Sequence, residues 1–90
     1  MTWRRIFYEG HVQGVGFRYS VKQIATGFEI AGSVKNLNDG RVQLEAGGEA
    51  GEVQAFLDAI RDSELGSLIR HVEESEMAAP VEAKGFQIAF

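Results

Sequence analysis

Two stretches of this chain are apolar along one helical stripe only, and that limits the folds open to it. Val21, Ile24, Ala25 and Phe28 fall at i, i+3, i+4 and i+7, and Val53, Phe56, Leu57 and Ile60 repeat the spacing. A helix with one such stripe must bury that face and keep the other in water. The spacing predicts helices over 18–29 and 50–62. The other patterned stretches read as strands. Ile6, Phe7 and Tyr8 are strand formers within 3–11, and a second strand covers 31–37. Val42 and Leu44 alternate with Arg41, Gln43 and Glu45 over 41–47. Asn38-Asp39-Gly40 between the last two strands is a hairpin signal, because these residues tolerate the positive φ of tight turns. Residues 67–75 read as a fourth strand and 85–90 as a terminal one.

The order is therefore β-α-β-β-α-β, with room for an extra strand at the C-terminal end. It predicts an α+β fold, a two-layer α/β sandwich of the ferredoxin-like kind: two helices on one face of a mainly antiparallel sheet. The right-handed crossover rule places the first helix over the sheet beside the first strand. Ninety residues without repeat or linker make one domain, residues 1–90.

Composition excludes several function classes. There is no cysteine, so disulfide scaffolds and thiolate metal sites are out, and His11 and His71 are not at ligand spacing. No metal and no cofactor is expected. The two arginines near the start have no long apolar run behind them, which predicts neither a signal peptide nor a membrane span and hence a cytoplasmic protein. The net charge is −4 and the nine Lys and Arg are scattered, which disfavours nucleic acid as a partner. One local site for a small anion remains allowed.

That site is expected in Gly10-His-Val-Gln-Gly-Val-Gly-Phe-Arg18, between the first strand and the first helix. A strand-to-helix loop presents free backbone N–H groups and the positive end of a helix dipole. Gly14 and Gly16 can take φ > 0 without a Cβ clash and so turn successive amides inward. Arg18 adds a planar fork of donors that matches two phosphate oxygens. The residues alone leave two readings open, an anion cradle and a plain glycine-rich turn. Other motifs fail. Tyr19 stands where a dinucleotide fingerprint needs its third glycine, and no Gly-Lys-Ser/Thr follows. An RNA-recognition motif needs a basic residue before its glycine and aromatics on a central strand.

The loop, followed by Gly32-Ser-Val34-Lys-Asn36 and Asp39-Gly40-Arg-Val42, resembles the acylphosphatase family. The motifs cover about residues 10–48. The resemblance implies a monomeric, metal-independent hydrolase that splits acyl phosphates into a carboxylate and inorganic phosphate, the latter also acting as inhibitor. It implies that the backbone of Gln13, Gly14, Val15, Gly16, Phe17 and Arg18 binds the phosphoryl group with the Arg18 side chain. It further implies that Asn36 positions the attacking water, so that Arg18 and Asn36 are the catalytic residues. The bland reading of Asn36 is a turn residue before the hairpin; its spacing after Gly32 and Val34 favours the catalytic one. His11 is expected to point away from the loop, and Ser20 to be an ordinary helix residue.

This chain departs from the family pattern twice. Ser33 stands where the family has Trp, and Glu29 where it has a glycine capping the helix in αL. The second departure predicts backbone strain at Glu29. The alternative function is a non-catalytic anion- or partner-binding module that keeps the cradle. A third origin, inside a larger carbamoyl-transfer protein of hydrogenase maturation, would be marked by an appended domain or zinc-finger cysteines.

Overall fold

A computed structural model describes residues 1–89. The elements run β1 (Thr2–Gly10), α1 (Phe17–Ala25), β2 (Ile30–Asn36), β3 (Val42–Gly48), α2 (Ala50–Asp62), a 3-10 turn (Glu64–Leu68), β4 (Ile69–Glu76) and β5 (Phe86–Ile88). The sheet order is β4-β1-β3-β2-β5. Neighbours are antiparallel except β2 and β5, which are parallel. The ferredoxin-like α+β fold with an extra C-terminal strand is what the pattern of stripes predicts.

Pairing of Ile6 and Val34 with Leu44 on either side sets the register. It turns Ile6, Tyr8, Val34, Val42, Leu44 and Ala46 into one buried layer. Phe17, Val21 and Ala25 of α1 and Val53, Phe56, Leu57 and Ile60 of α2 close over it. Phe56 sits at the centre, its ring 5.9 Å from Phe28 and 5.6 Å from Phe86. The face away from the helices carries Arg5 bonded to Glu45 at 2.9 Å and the Arg41 guanidinium over the Phe7 ring. Trp3, on this face, is nonetheless buried; it stands beside Ser33 and the segment at Pro80. No helix among the described residues is long and apolar enough to cross a membrane.

Four expectations need correction. Helix α1 stops at Ala25, not 29. Thr26, Gly27 and Phe28 donate to carbonyls three residues back, and the Thr26 hydroxyl caps Gln23 O at 2.6 Å. Thr and Gly are weak helix formers, so the last turn tightens, while Phe28 still packs on Phe56. Glu29 is not in αL, because no non-glycine described residue has positive φ. Its N–H is satisfied instead by the Glu52 carboxylate at 2.9 Å, and the predicted strain is absent. The first helix packs over β2 and β5 rather than beside β1, because the crossover from β1 to β2 steps across β3. Finally, the fourth strand begins at Ile69, after a 3-10 turn capped by Ser63, whose Oγ accepts from Leu65 N at 3.1 Å. The terminal strand spans Phe86–Ile88, and the expectation that it reaches 90 lies in part outside the described residues.

Candidate active site

The loop at 11–16 is pinned at both ends. His11 N donates to Leu68 O at 2.9 Å, and Val12 is buried. At the far end Phe17 is buried with its ring 5.4 Å from Tyr8. Between these anchors Gly14 and Gly16 take φ of 77° and 78°. Gly16 is the N-cap of α1 and has no side chain with which to cap it. Among the described residues, the backbone N–H groups of Gly14 to Phe17 donate to no protein acceptor. Uncapped amides at a helix N-terminus form a partial positive charge. At both glycines a Cβ would meet no atom within 4 Å, so conformation alone demands glycine there. Gly16→Ala should therefore cost about 1–2 kcal/mol, the penalty for a non-glycine residue in αL, read as a lower urea midpoint at unchanged m.

The loop borders a cleft of about 180 Å³ lined by Val12, Gly14, Gly16, Phe17, Arg18, Tyr19, Asn36 and Ile88. Arg18, on the first turn of α1, donates from Nη1 to Ala89 O at 3.4 Å. Asn36, the last residue of β2, is half-buried. Its Oδ1 is shut off from solvent and accepts no hydrogen bond. An orphaned buried carbonyl costs about 1–3 kcal/mol, so its presence in the cleft wall calls for a reason.

Of the residues expected at the site, Gly14, Gly16, Phe17, Arg18 and Asn36 thus share one cleft. Gln13 and Val15 do not line it. Val15 is 39% exposed. The Gln13 side chain instead reaches the β2–β3 hairpin, where Nε2 donates to Leu37 O at 2.8 Å and Arg41 O at 2.9 Å. Sequence reading missed this clamp, since no local pattern tells which strand end a glutamine will face. It also missed Tyr19 and Ile88 as cleft walls. His11 is exposed and Ser20 half-buried, and neither lines the cleft.

The hairpin is itself braced. Leu37 N donates to Arg41 O at 2.8 Å, and Asp39 accepts from Arg41 N at 3.1 Å and Nε at 2.9 Å. These bonds to Arg41 hold the Asp39 carboxyl below its ordinary range. A lowered folded value means that this bracing is present at neutral pH and fades as pH falls through that value.

Two other features lie elsewhere. A groove of about 420 Å³ between α2 and β4 is walled by Ile6, Tyr8, Leu57, Arg61, Arg70 and Val72. Burial, with Glu74 nearby, pushes the Tyr8 hydroxyl up and keeps it neutral. At the β1–β4 edge, His71 stands 4.0 Å from Glu9 and 3.7 Å from Glu73, all solvent-accessible. Neither holds a residue expected at the active site.

A sequence model of the acylphosphatase family matches residues 4–88. The chain belongs to the acylphosphatase family. An acylphosphatase of Listeria monocytogenes is 43% identical over 82 residues, 90% of this chain and 88% of that protein. One of Archaeoglobus fulgidus is 40% identical over 86 residues, 94% of each. Among solved structures, the acylphosphatase from Bacillus subtilis superposes with a TM-score of 0.88 at 36% identity, over the whole of both chains. HypF from T. kodakarensis gives 0.86 at 28% identity and covers all of this chain but 12% of that one, so the family's fold also occurs as a small part of a longer chain.

Proposed function

We propose that residues 1–90 act as one unit that hydrolyses acyl phosphates to a carboxylate and inorganic phosphate. The observation that carries this reading is that uncommitted loop amides, Arg18 and Asn36, whose buried carboxamide oxygen is unpaired, line one cleft. Family membership supports the reaction class; the division of labour below is our own.

The phosphoryl group sits in the loop, its oxygens accepting from backbone N–H groups between Gln13 and Arg18 and from the Arg18 fork. These donors are fixed before substrate arrives, so charge building on the equatorial oxygens is met without reorganisation. Asn36 has no useful pKa and cannot act as a base. Its terminal torsion is soft, and rotation about it brings Oδ1 to the cleft, where it accepts a hydrogen bond from water and fixes the line of approach. The water oxygen forms a bond to phosphorus. The bond from phosphorus to the acyl oxygen breaks, and the carboxylate leaves with the electron pair. The water proton passes to a phosphoryl oxygen. A carboxylate is a good leaving group, so no general acid is required.

The described residues lining the cleft include no histidine, cysteine or carboxylate. We expect kcat/KM to be flat between about pH 7 and 9, where the substrate is fully ionised because phosphoryl second pKa values lie near 6. A profile with an enzyme group titrating inside that window contradicts the mechanism.

The test of the function is steady-state hydrolysis of acetyl phosphate with a chelator present. Turnover inhibited competitively by inorganic phosphate is expected. Protection of the fold by phosphate without turnover would instead identify a binding module.

A further inference from the structure

The loop that holds the phosphoryl group and the strand end that carries Asn36 belong to different elements, and water attack needs them in fixed relative positions. One side chain joins them. Both hydrogens of Gln13 Nε2 are used, one on Leu37 O at 2.8 Å and one on Arg41 O at 2.9 Å. Gln13 directly precedes Gly14 of the cradle, and Leu37 directly follows Asn36. Arg41 O also accepts from Leu37 N, so the glutamine amide completes a junction of three hydrogen bonds at the mouth of the hairpin. Among the described residues, no other hydrogen bond runs from residues 12–17 to the hairpin.

We propose that Gln13 is a positioning residue: its carboxamide locks the anion loop to the β2–β3 hairpin and so sets where Asn36 stands relative to the bound phosphoryl group. This rests on the function proposed above. The chemistry of the junction selects a primary amide. Two carbonyl acceptors need a planar group with two donors; glutamate has none when ionised, methionine has the length and no donor, and asparagine is one methylene short.

The test is a double-mutant cycle on kcat with acetyl phosphate, using Gln13→Met and Asn36→Ala. Two neutral hydrogen bonds are lost, so Gln13→Met alone should lower kcat about ten- to a hundredfold. In the Asn36→Ala background the same change should lower kcat less than about threefold, because the group it places is gone. Gln13→Glu should resemble Gln13→Met, and covers the case in which the latter does not fold. Equal losses in both backgrounds, or a rise in KM at unchanged kcat, overturn the proposal. If the wild-type chain turns nothing over, the function fails first. The junction is then read by phosphate titration, in which the Asn36 side-chain amide signals should shift in wild type and not in Gln13→Met. Identical shifts in both proteins also overturn it.

Discussion

Arg18→Gln is expected to lower kcat/KM for acetyl phosphate by about 10²–10³, the scale of losing a preorganised donor to a developing anion. The physical reason is geometric as well as electrostatic. The guanidinium stands on the first turn of α1, beside amides that already carry the positive end of the helix dipole. In the proposed mechanism its fork delivers two charge-assisted bonds to oxygens of one phosphoryl group, each worth about 1.5–3 kcal/mol. Glutamine keeps part of the length and loses charge and fork. Arg18→Lys separates the two, since lysine keeps the charge as a point without the planar pair of donors. Lysine should recover part of the loss but not all. Stability should change little in either variant, because Arg18 is no part of the buried core. The comparison is made by steady-state kinetics with urea midpoints alongside. A loss under about threefold in Arg18→Gln would remove the guanidinium from the mechanism.

Asn36→Ala should be as damaging, with a different signature. If the carboxamide aims water and the loop holds phosphate, kcat falls by about 10²–10³ while phosphate inhibition stays within about twofold. The variant also removes a buried carbonyl that makes no hydrogen bond. Deleting an unsatisfied group relieves its desolvation penalty, so the fold should be equal or greater in stability. Lower turnover in a protein no less stable is the outcome expected of a catalytic group that carries a folding cost. An Asn36→Ala protein that is markedly destabilised would restore the bland reading of Asn36 as a hairpin residue.

The architecture was readable because the chain's local signals agree with one another. The second helix spans Ala50–Asp62 as its stripe predicts, and Asn38-Asp39-Gly40 turns between β2 and β3. The stripe carries the first helix four residues too far, to 29 rather than Ala25. Phe28 continues the stripe and reaches the core, yet the backbone has already tightened at Thr26, so periodicity alone does not mark a helix end. The strain expected at Glu29 rests on the family's capping glycine at that place; here Glu52, from another helix, satisfies the Glu29 N–H without αL. At the site, the positive φ of Gly14 and Gly16 follows from residue type. The reach of Gln13 across to Leu37 and Arg41 is a contact over 24 and 28 residues, and no periodicity encodes it. Trp3 teaches the same lesson. Its neighbourhood with Ser33 and Pro80 comes from strand register and from the path of the chain after β4, both tertiary facts.

The central claim is that loop amides past β1 and the Arg18 guanidinium wrap one tetrahedral anion beside Asn36. Inorganic phosphate titrated into the amide-labelled protein, followed by ¹H–¹⁵N spectra, tests it most directly. The account predicts that the largest shifts fall on the backbone amides of Gly14 to Arg18, saturate with one dissociation constant, and weaken sharply in Arg18→Gln. Shifts that leave those amides unmoved, or that centre on the groove of Tyr8 and Arg70, would contradict it.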